Sequence, residues 1–235
     1  MHRPGVPRLL RELNDRAAFD LLSSHGPLTR ARIGELTGLS KVTAAQMLGR
    51  LRDLGLVQVV GEQTGARGPN AALYAVVPSA AHVAGLEVGP DGVRTAVADI
   101  TGTIRAEETI EIEGEDEPVR LVRHGIARAC AAAGIETSAL RAVVVGTPGI
   151  IDPRTGDLRF AFDLPAWHSG PLREALTRDL SCAVQIENDV DLAAIAERSY
   201  GAAIGVDDFA VVWASRGVGL AMVIGGRLHR GVTGS

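Results

Sequence analysis

Apolar residues recur at helical spacing through the first fifty positions, then change to runs and alternations that read as strands. Residues 11–25, RELNDRAAFDLLSSH, set Leu13, Ala17, Phe19, Leu21 and Leu22 along a helix that Gly26-Pro27 ends. Thr29 is placed to cap a second helix, whose Ile33 and Leu36 point one way before Gly38 stops it. Ser40 is placed as the N-cap of a third, its hydroxyl accepting the free amides of the first turn. In that helix Val42, Ala45, Leu48 and Leu51 form the expected inner row, which leaves Lys41, Thr43, Gln46 and Arg50 outside. A strand at 56–60 and a second at 72–77 return on each other around the tip GEQTGARGPN, shaped by Gly65, Gly68 and Pro69 and carrying Arg67.

Residues 33–57 thus read as two short helices joined by a tight turn and followed at once by a strand, the order of a winged helix-turn-helix. An ordinary three-helix bundle with a solvated face has the same periodicity. The turn TGLS, the helix lengths and the wing favour duplex DNA. Thr43 and Gln46 are then assigned to base edges, one offering a hydroxyl and methyl and the other a two-pronged amide. Lys41 and Arg50 are assigned to phosphates, with the Ser40 end of the helix adding a favourable field for an anion. Arg67 on the wing tip is assigned to a narrow minor groove or a phosphate; a surface arginine without a duty is the alternative.

Pro78-Ser79-Ala80 is a connector too short for a floppy tether, and it sets the expected domains at 1–80 and 81–235. Beyond it, 81–89, 93–100 and 103–112 read as three strands, the first two joined at Pro90-Asp91-Gly92. A helix at 118–133, a strand at 142–145 ending in Gly146-Thr147-Pro148-Gly149, a helix at 171–180 and a short strand at 184–186 follow. A helix at 190–200 comes next, after Asn188-Asp189, and then strands at 209–213 and 220–224. Strands first and alternating helices and strands afterwards predict a mixed α/β sheet with ligands at strand ends. At such an edge Asp189 could take a proton from a hydroxyl, hold it by a hydrogen bond, or cap the helix.

Charge separates the two parts. Residues 1–80 hold ten Arg/Lys against six Asp/Glu, net +4, and residues 81–235 fourteen against twenty-two, net −8. A basic head on an acidic body fits a nucleic-acid module fused to something that avoids nucleic acid. Cys130 and Cys182 lack partners at metal-ligand spacing and read as buried free thiols. No apolar run approaches eighteen residues and the N-terminus carries charge where a leader would be apolar, so a cytoplasmic protein with no membrane partner is expected.

Head and body together resemble the ROK family of repressors and sugar kinases, in particular its xylose-repressor-like regulators. The resemblance spans nearly the whole chain and rests on the head, on VVVGTPGIIDPRTGDL at 143–158, on IENDVDLAAIAE at 186–197 and on GVGLAMVIGGRLHRG at 217–231. It implies an α/β actin/hexokinase-like (RNase H-like) body that binds a sugar in its cleft, behind the winged head. It also implies a homodimer or dimer of dimers on an inverted-repeat operator, with a sugar or sugar phosphate as effector. Asn188 and Asp189 fall on the family's sugar-contacting Asn and catalytic aspartate, and Gly149 lines the same cleft.

The kinase members begin the body with a D-x-G-G-T-K-like phosphate loop, where this chain has EVGPDG at 87–92. Glu87 replaces the aspartate and Pro90-Asp91 stand where Gly-Thr should be; the second phosphate turn is ASRGVG at 214–219. An acidic Asp91 where phosphate should sit opposes ATP binding, so catalysis is expected to be lost and Asp189 to serve as a sugar anchor. The family continues into an A-G-E-x-G-H segment and a cysteine-rich zinc motif that would lie beyond Ser235. With most of the second lobe then absent, no cofactor is expected in this chain and an exposed apolar sheet edge is. A sugar kinase with a DNA-binding head and a ligand-independent regulator are the competing readings.

Overall fold

The computed structural model describes residues 7–64, 70–112, 117–161, 164, 167, 171–214 and 217–234. The chain divides into two compact units, one reaching to Ala80 and including Ile100–Gly102, the other taking Ala81–Asp99 and the rest from Thr103.

In the first unit α1 (Pro7–His25) buries Ala18 and Leu22 and stops at Gly26, whose φ of 74° suits a residue without Cβ. The two-residue strand β1 (Leu28–Thr29) follows, and its Thr29 caps α2 (Arg30–Thr37) by accepting from the Arg32 N–H at 3.3 Å. Gly38 ends α2 in the left-handed region. Ser40 then caps α3 (Lys41–Asp53) by accepting from the Thr43 N–H at 3.2 Å. Strands β2 (Val57–Gln63) and β3 (Ala71–Val76) pair antiparallel with a bulge between Val59 and Gly61, and β1 adds to the far side of β3. Ala18, Leu22, Ile33, Met47, Leu48, Leu51, Val57 and Val76 make one core, on which Ile100 also packs.

That core corrects the expected inner row of α3. The helix buries Ala44, Met47, Leu48 and Leu51, while Val42 is 67% exposed and Ala45 is only half-buried. Both rows share Leu48 and Leu51, and Met47, fully buried beside Ile33 in the core, fixes the rotation about the helix axis. The expected wing tip around Arg67 lies outside the described residues.

The second unit is built on a five-stranded sheet. Strands β4 (His82–Gly89), β5 (Gly92–Asp99) and β6 (Ile104–Glu111) form an antiparallel meander. Strand β7 (Leu140–Thr147) lies parallel to β4 on its other side, and β10 (Ala183–Asn188) parallel to β7 at the edge. Alternation in β4 turns Ala84, Leu86 and Val88 inward and leaves Val83, Gly85 and Glu87 on the opposite face. Helix α4 (Pro118–Ala133), capped by Glu117, covers β5 and β6, and its Gly125 lies so close that a Cβ would come within 2.6 Å of Thr95 Oγ1. Helix α5 (Leu172–Leu180) packs beside it and leads into β10. A short hairpin, β8 (Ile150–Ile151) with β9 (Leu158–Phe160), follows β7. This sheet order, with its helices, agrees with the expected actin/hexokinase-like body.

After β10 comes α6 (Asp189–Tyr200), then an antiparallel sheet of β11 (Phe209–Ala214), β12 (Val218–Ile224) and β13 (Arg227–His229). One face of that sheet packs Ala221 and Val223 on Val190 and Ala194 of α6. The other leaves Val212, Leu220 and Ile224 exposed. No helix among the described residues is long and apolar enough to cross a membrane. Cys130 is buried as expected, whereas Cys182 is only half-buried; burial raises the pKa of both thiols.

Candidate functional site

The outward side of α3 is the first candidate. Lys41, Val42 and Gln46 are exposed there, and Arg52 is exposed nearer its C-terminal end. Thr43 is half-buried, and its hydroxyl lies 2.9 Å from that of Ser40, so the two close on each other at the cap. Arg50 departs from the sequence expectation. Its guanidinium grips Asp15 of α1 with two hydrogen bonds, 2.5 Å from Nη2 and 3.1 Å from Nε, instead of standing out beside Lys41. That bond to Asp15 raises the Arg50 pKa further. Of the residues assigned to DNA, the structure therefore groups Lys41 and Gln46 on the open face, uses Ser40 and Thr43 in the cap, and turns Arg50 inward. Val42 was missed because a valine in a helical pattern is read as core.

The second candidate lies at the end of β10. Asn188 is the N-cap of α6: its Oδ1 accepts from the N–H groups of Val190 and Asp191 at 2.8 and 3.2 Å. Its Nδ2 meanwhile donates to the Gly149 carbonyl at 2.9 Å. One amide thus caps the helix and holds the turn after β7 against it. The capping duty at this edge thus falls to Asn188, which leaves proton transfer and hydrogen bonding to a hydroxyl as the readings of Asp189. Asp189 takes the first helical position, half-buried, with Oδ1 2.9 Å from the Val190 N–H. Gly149 has φ 132°, and a Cβ there would meet the Phe160 carbonyl oxygen at 2.1 Å, so the β8–β9 hairpin needs a glycine at that point. Gly146 lets α6 pass, since a Cβ would sit 2.8 Å from Leu192 Cδ1.

Beside this edge a cleft of about 520 Å³ is lined by Asp152, Arg154, Arg173, Glu187, Asp191 and Arg230 among others. Its wall takes Glu187 and Asp191 from this stretch and neither Asn188 nor Asp189. Glu187 is 3% exposed and accepts from both Nη2 and Nε of Arg230. Burial raises the Asp191 pKa, Glu187 adds to the rise and Arg230 opposes it. None of Glu187, Asp191 or Arg230 stood out in the sequence, although a Gln185-x-Glu187 alternation in a short apolar strand was a signal of a polar face. Among the described residues no three His, Cys, Asp or Glu side chains gather as metal ligands do.

The β4–β5 hairpin, where the sequence comparison expected a phosphate loop, pairs Gly89 with Gly92 across the two-residue turn Pro90-Asp91. Glu87 accepts from Arg94 Nη2 at 2.5 Å directly across the strands. The second expected phosphate turn, at 214–219, lies partly outside the described residues, at 215 and 216.

Comparison with known proteins places these sites in context. The chain is 24% identical over 234 residues to the xylose repressor of Bacillus subtilis (strain 168), covering 96% of this chain and 59% of that protein. It is 24% identical over 235 residues to the N-acetylglucosamine repressor of Escherichia coli O157:H7, covering 98% and 57%. The chain therefore spans less than two thirds of the length of these relatives. Among solved structures, a ROK family transcriptional regulator described as a homolog of the E. coli MLC protein superposes with a TM-score of 0.73. That match covers 95% of this chain and 57% of that one, and at 18% identity it speaks to the fold alone. A ROK family glucokinase from Streptomyces griseus, in complex with glucose and AMPPNP, is 27% identical with a TM-score of 0.57 over 65% of this chain and 47% of that one. Residues 83–235 match the ROK family itself, more than half of the chain, and the protein belongs to that family.

Proposed function

We propose that this protein is a DNA-binding transcriptional regulator whose first unit is a winged helix-turn-helix and whose body responds to a sugar or sugar phosphate. The observation that carries the reading is the outward face of α3. Lys41 and Gln46 are exposed on a helix that buries Ala44, Met47, Leu48 and Leu51 and whose N-terminus Ser40 caps. A helix of about 10–12 Å diameter with such a face fits the major groove of B-DNA. The basic balance of residues 1–80 supports the same partner. Repressors among the relatives support a regulatory output, and the sugars in their names support the class of effector. A homodimer on an inverted repeat completes the proposal, since two identical heads read two identical half-sites.

The body binds its effector without transferring phosphate. Pro90-Asp91 in a two-residue turn, and Glu87 held by Arg94, support this half of the proposal, because an acidic, proline-bearing turn offers a phosphate neither backbone amides in series nor a hydroxyl. Asp189, standing at the N-terminus of α6, is assigned to hold a sugar hydroxyl, with Asn188 and Gly149 shaping the edge.

Selection from a randomised duplex library with the full chain, followed by anisotropy titration of the enriched duplex, tests the output. A panel of pentoses, hexoses, N-acetylhexosamines and their phosphates tests the input. Enrichment of one sequence and a change in its Kd with one sugar class are expected. Failure to enrich any duplex overturns the regulator reading, an unchanged Kd with every sugar overturns the sensor reading, and sugar-dependent release of ADP from ATP overturns the assignment as a non-kinase.

A further inference from the structure

Val42 is the residue of α3 that the fold leaves without an explanation. It sits in the first turn, 67% exposed, on the side of the helix away from the buried Ala44, Met47, Leu48 and Leu51. Gln46 follows four residues on, one turn along the same face, and is exposed as well. A singly exposed apolar side chain is ordinary and by itself means nothing. Here its place decides: it stands beside Lys41 at the capped end of the helix, the end that enters the groove in helix-turn-helix proteins. The residues first assigned to base edges and phosphates on this helix are partly committed elsewhere. Thr43 turns its hydroxyl to Ser40, and Arg50 gives two hydrogen bonds to Asp15. The open side of the first two turns thus offers a branched apolar group and an amide, with Lys41 supplying the charge that a polyanion requires.

In the major groove one base-pair feature answers an apolar side chain, the C5-methyl of thymine. Hydroxyls, amides and guanidinium groups have polar partners on every base pair, whereas an isopropyl group has only that methyl. We propose that Val42 is a specificity-determining residue that packs on a thymine methyl in each half-site. Gln46 reads the neighbouring position through its amide. The inference rests on the regulator reading above and deepens it: it names the chemistry that the half-site presents.

The test uses the duplex enriched by the full chain and replaces each thymine in turn by deoxyuridine, which removes the methyl and keeps every hydrogen-bonding group. With the native protein, one substitution per half-site raises Kd by about fourfold, the worth of one buried methyl or methylene group. With Val42→Ala, which loses the contact in both half-sites, the native duplex binds about as weakly as a duplex with that deoxyuridine in both half-sites binds the native protein, and the deoxyuridine no longer matters. Val42→Thr, which keeps one methyl, retains part of the sensitivity. Because Val42 is exposed, an unchanged circular-dichroism melt shows that each variant is folded. If every deoxyuridine acts equally on the native protein and on Val42→Ala, the assignment of Val42 is overturned while the regulator reading stands. If no duplex is enriched at all, both fall together.

Discussion

Arg50 and Asp15, 35 residues apart in the chain, meet as a two-pronged ion pair that straps α3 to α1. Their side chains are 34% and 22% exposed, so the pair is neither fully screened nor fully desolvated. Each side chain has found its partner within the head, and for Arg50 that partner competes with a phosphate.

Loss of either partner should loosen the head. Asp15→Ala and Arg50→Met are each expected to cost about 1–2 kcal/mol of stability in urea titration. The double variant should cost little more than either single one. Strict additivity of the two losses would show that the pair contributes nothing of its own.

Lys41 and Gln46 should separate where Arg50 does not. Lys41→Ala is expected to weaken binding to all duplexes and to lower the slope of log K against log salt by about 0.9, while Arg50→Met leaves that slope unchanged. Gln46→Ala should weaken the selected duplex and relax one base-pair preference by about 1–3 kcal/mol. Equal loss on selected and random duplex would remove Gln46 from base reading, and a slope that falls with Arg50→Met would return that residue to the phosphates.

Asn188 does two jobs that substitution can split. Asn188→Ala removes the cap of α6 and the bond to the Gly149 carbonyl, at a cost of about 2 kcal/mol. Asn188→Ser keeps a capping oxygen and loses only the second, at about 1 kcal/mol. Asp189→Asn should leave the midpoint of thermal unfolding nearly unmoved and abolish the rise that a bound sugar produces. A sugar-induced rise that survives Asp189→Asn would assign the hydroxyl contact to another group.

Stability should carry a pH signature from Asp191. Its pKa is raised, chiefly by burial and then by Glu187, against the pull of Arg230. A carboxyl that binds its proton more tightly in the folded chain stabilises it fully below the ordinary carboxylate range, and that contribution is lost as pH rises through the raised folded value. Asp191→Asn is therefore expected to lose less stability than the native protein between the acid end of that range and neutrality. Parallel urea midpoints across the same pH series would deny Asp191 this role.

Much of α3 was legible in the sequence, and the misreading of its inner row is instructive. Val42, Ala45, Leu48 and Leu51 satisfy helical spacing as well as Ala44, Met47, Leu48 and Leu51 do, because apolar residues on adjacent rows share the last two members. Nothing local ranks Met47 above Val42; the core that Met47 shares with Ala18, Leu22, Ile33 and Val57 does so. Glu187 and Arg230 show the same limit in the body. They lie 43 residues apart, and only the return of the chain after β13 brings the cation to the buried carboxylate.

The sequence alone determined what short-range chemistry encodes. Thr29 and Ser40 as caps, Gly26 and Gly38 as stops, the α4 helix and the β4–β5 turn each depend on groups a few residues apart, whose geometry the backbone itself supplies. Tertiary structure decided the rotation of α3, the diversion of Arg50 to Asp15 and the double duty of Asn188. It also decided strands as short as β1, β8 and β13, which have too few residues to show a period and form only against a partner. The physical reason is common to all of them: a side chain or a strand edge is committed by whichever group meets it, and distant segments meet only when the chain has folded.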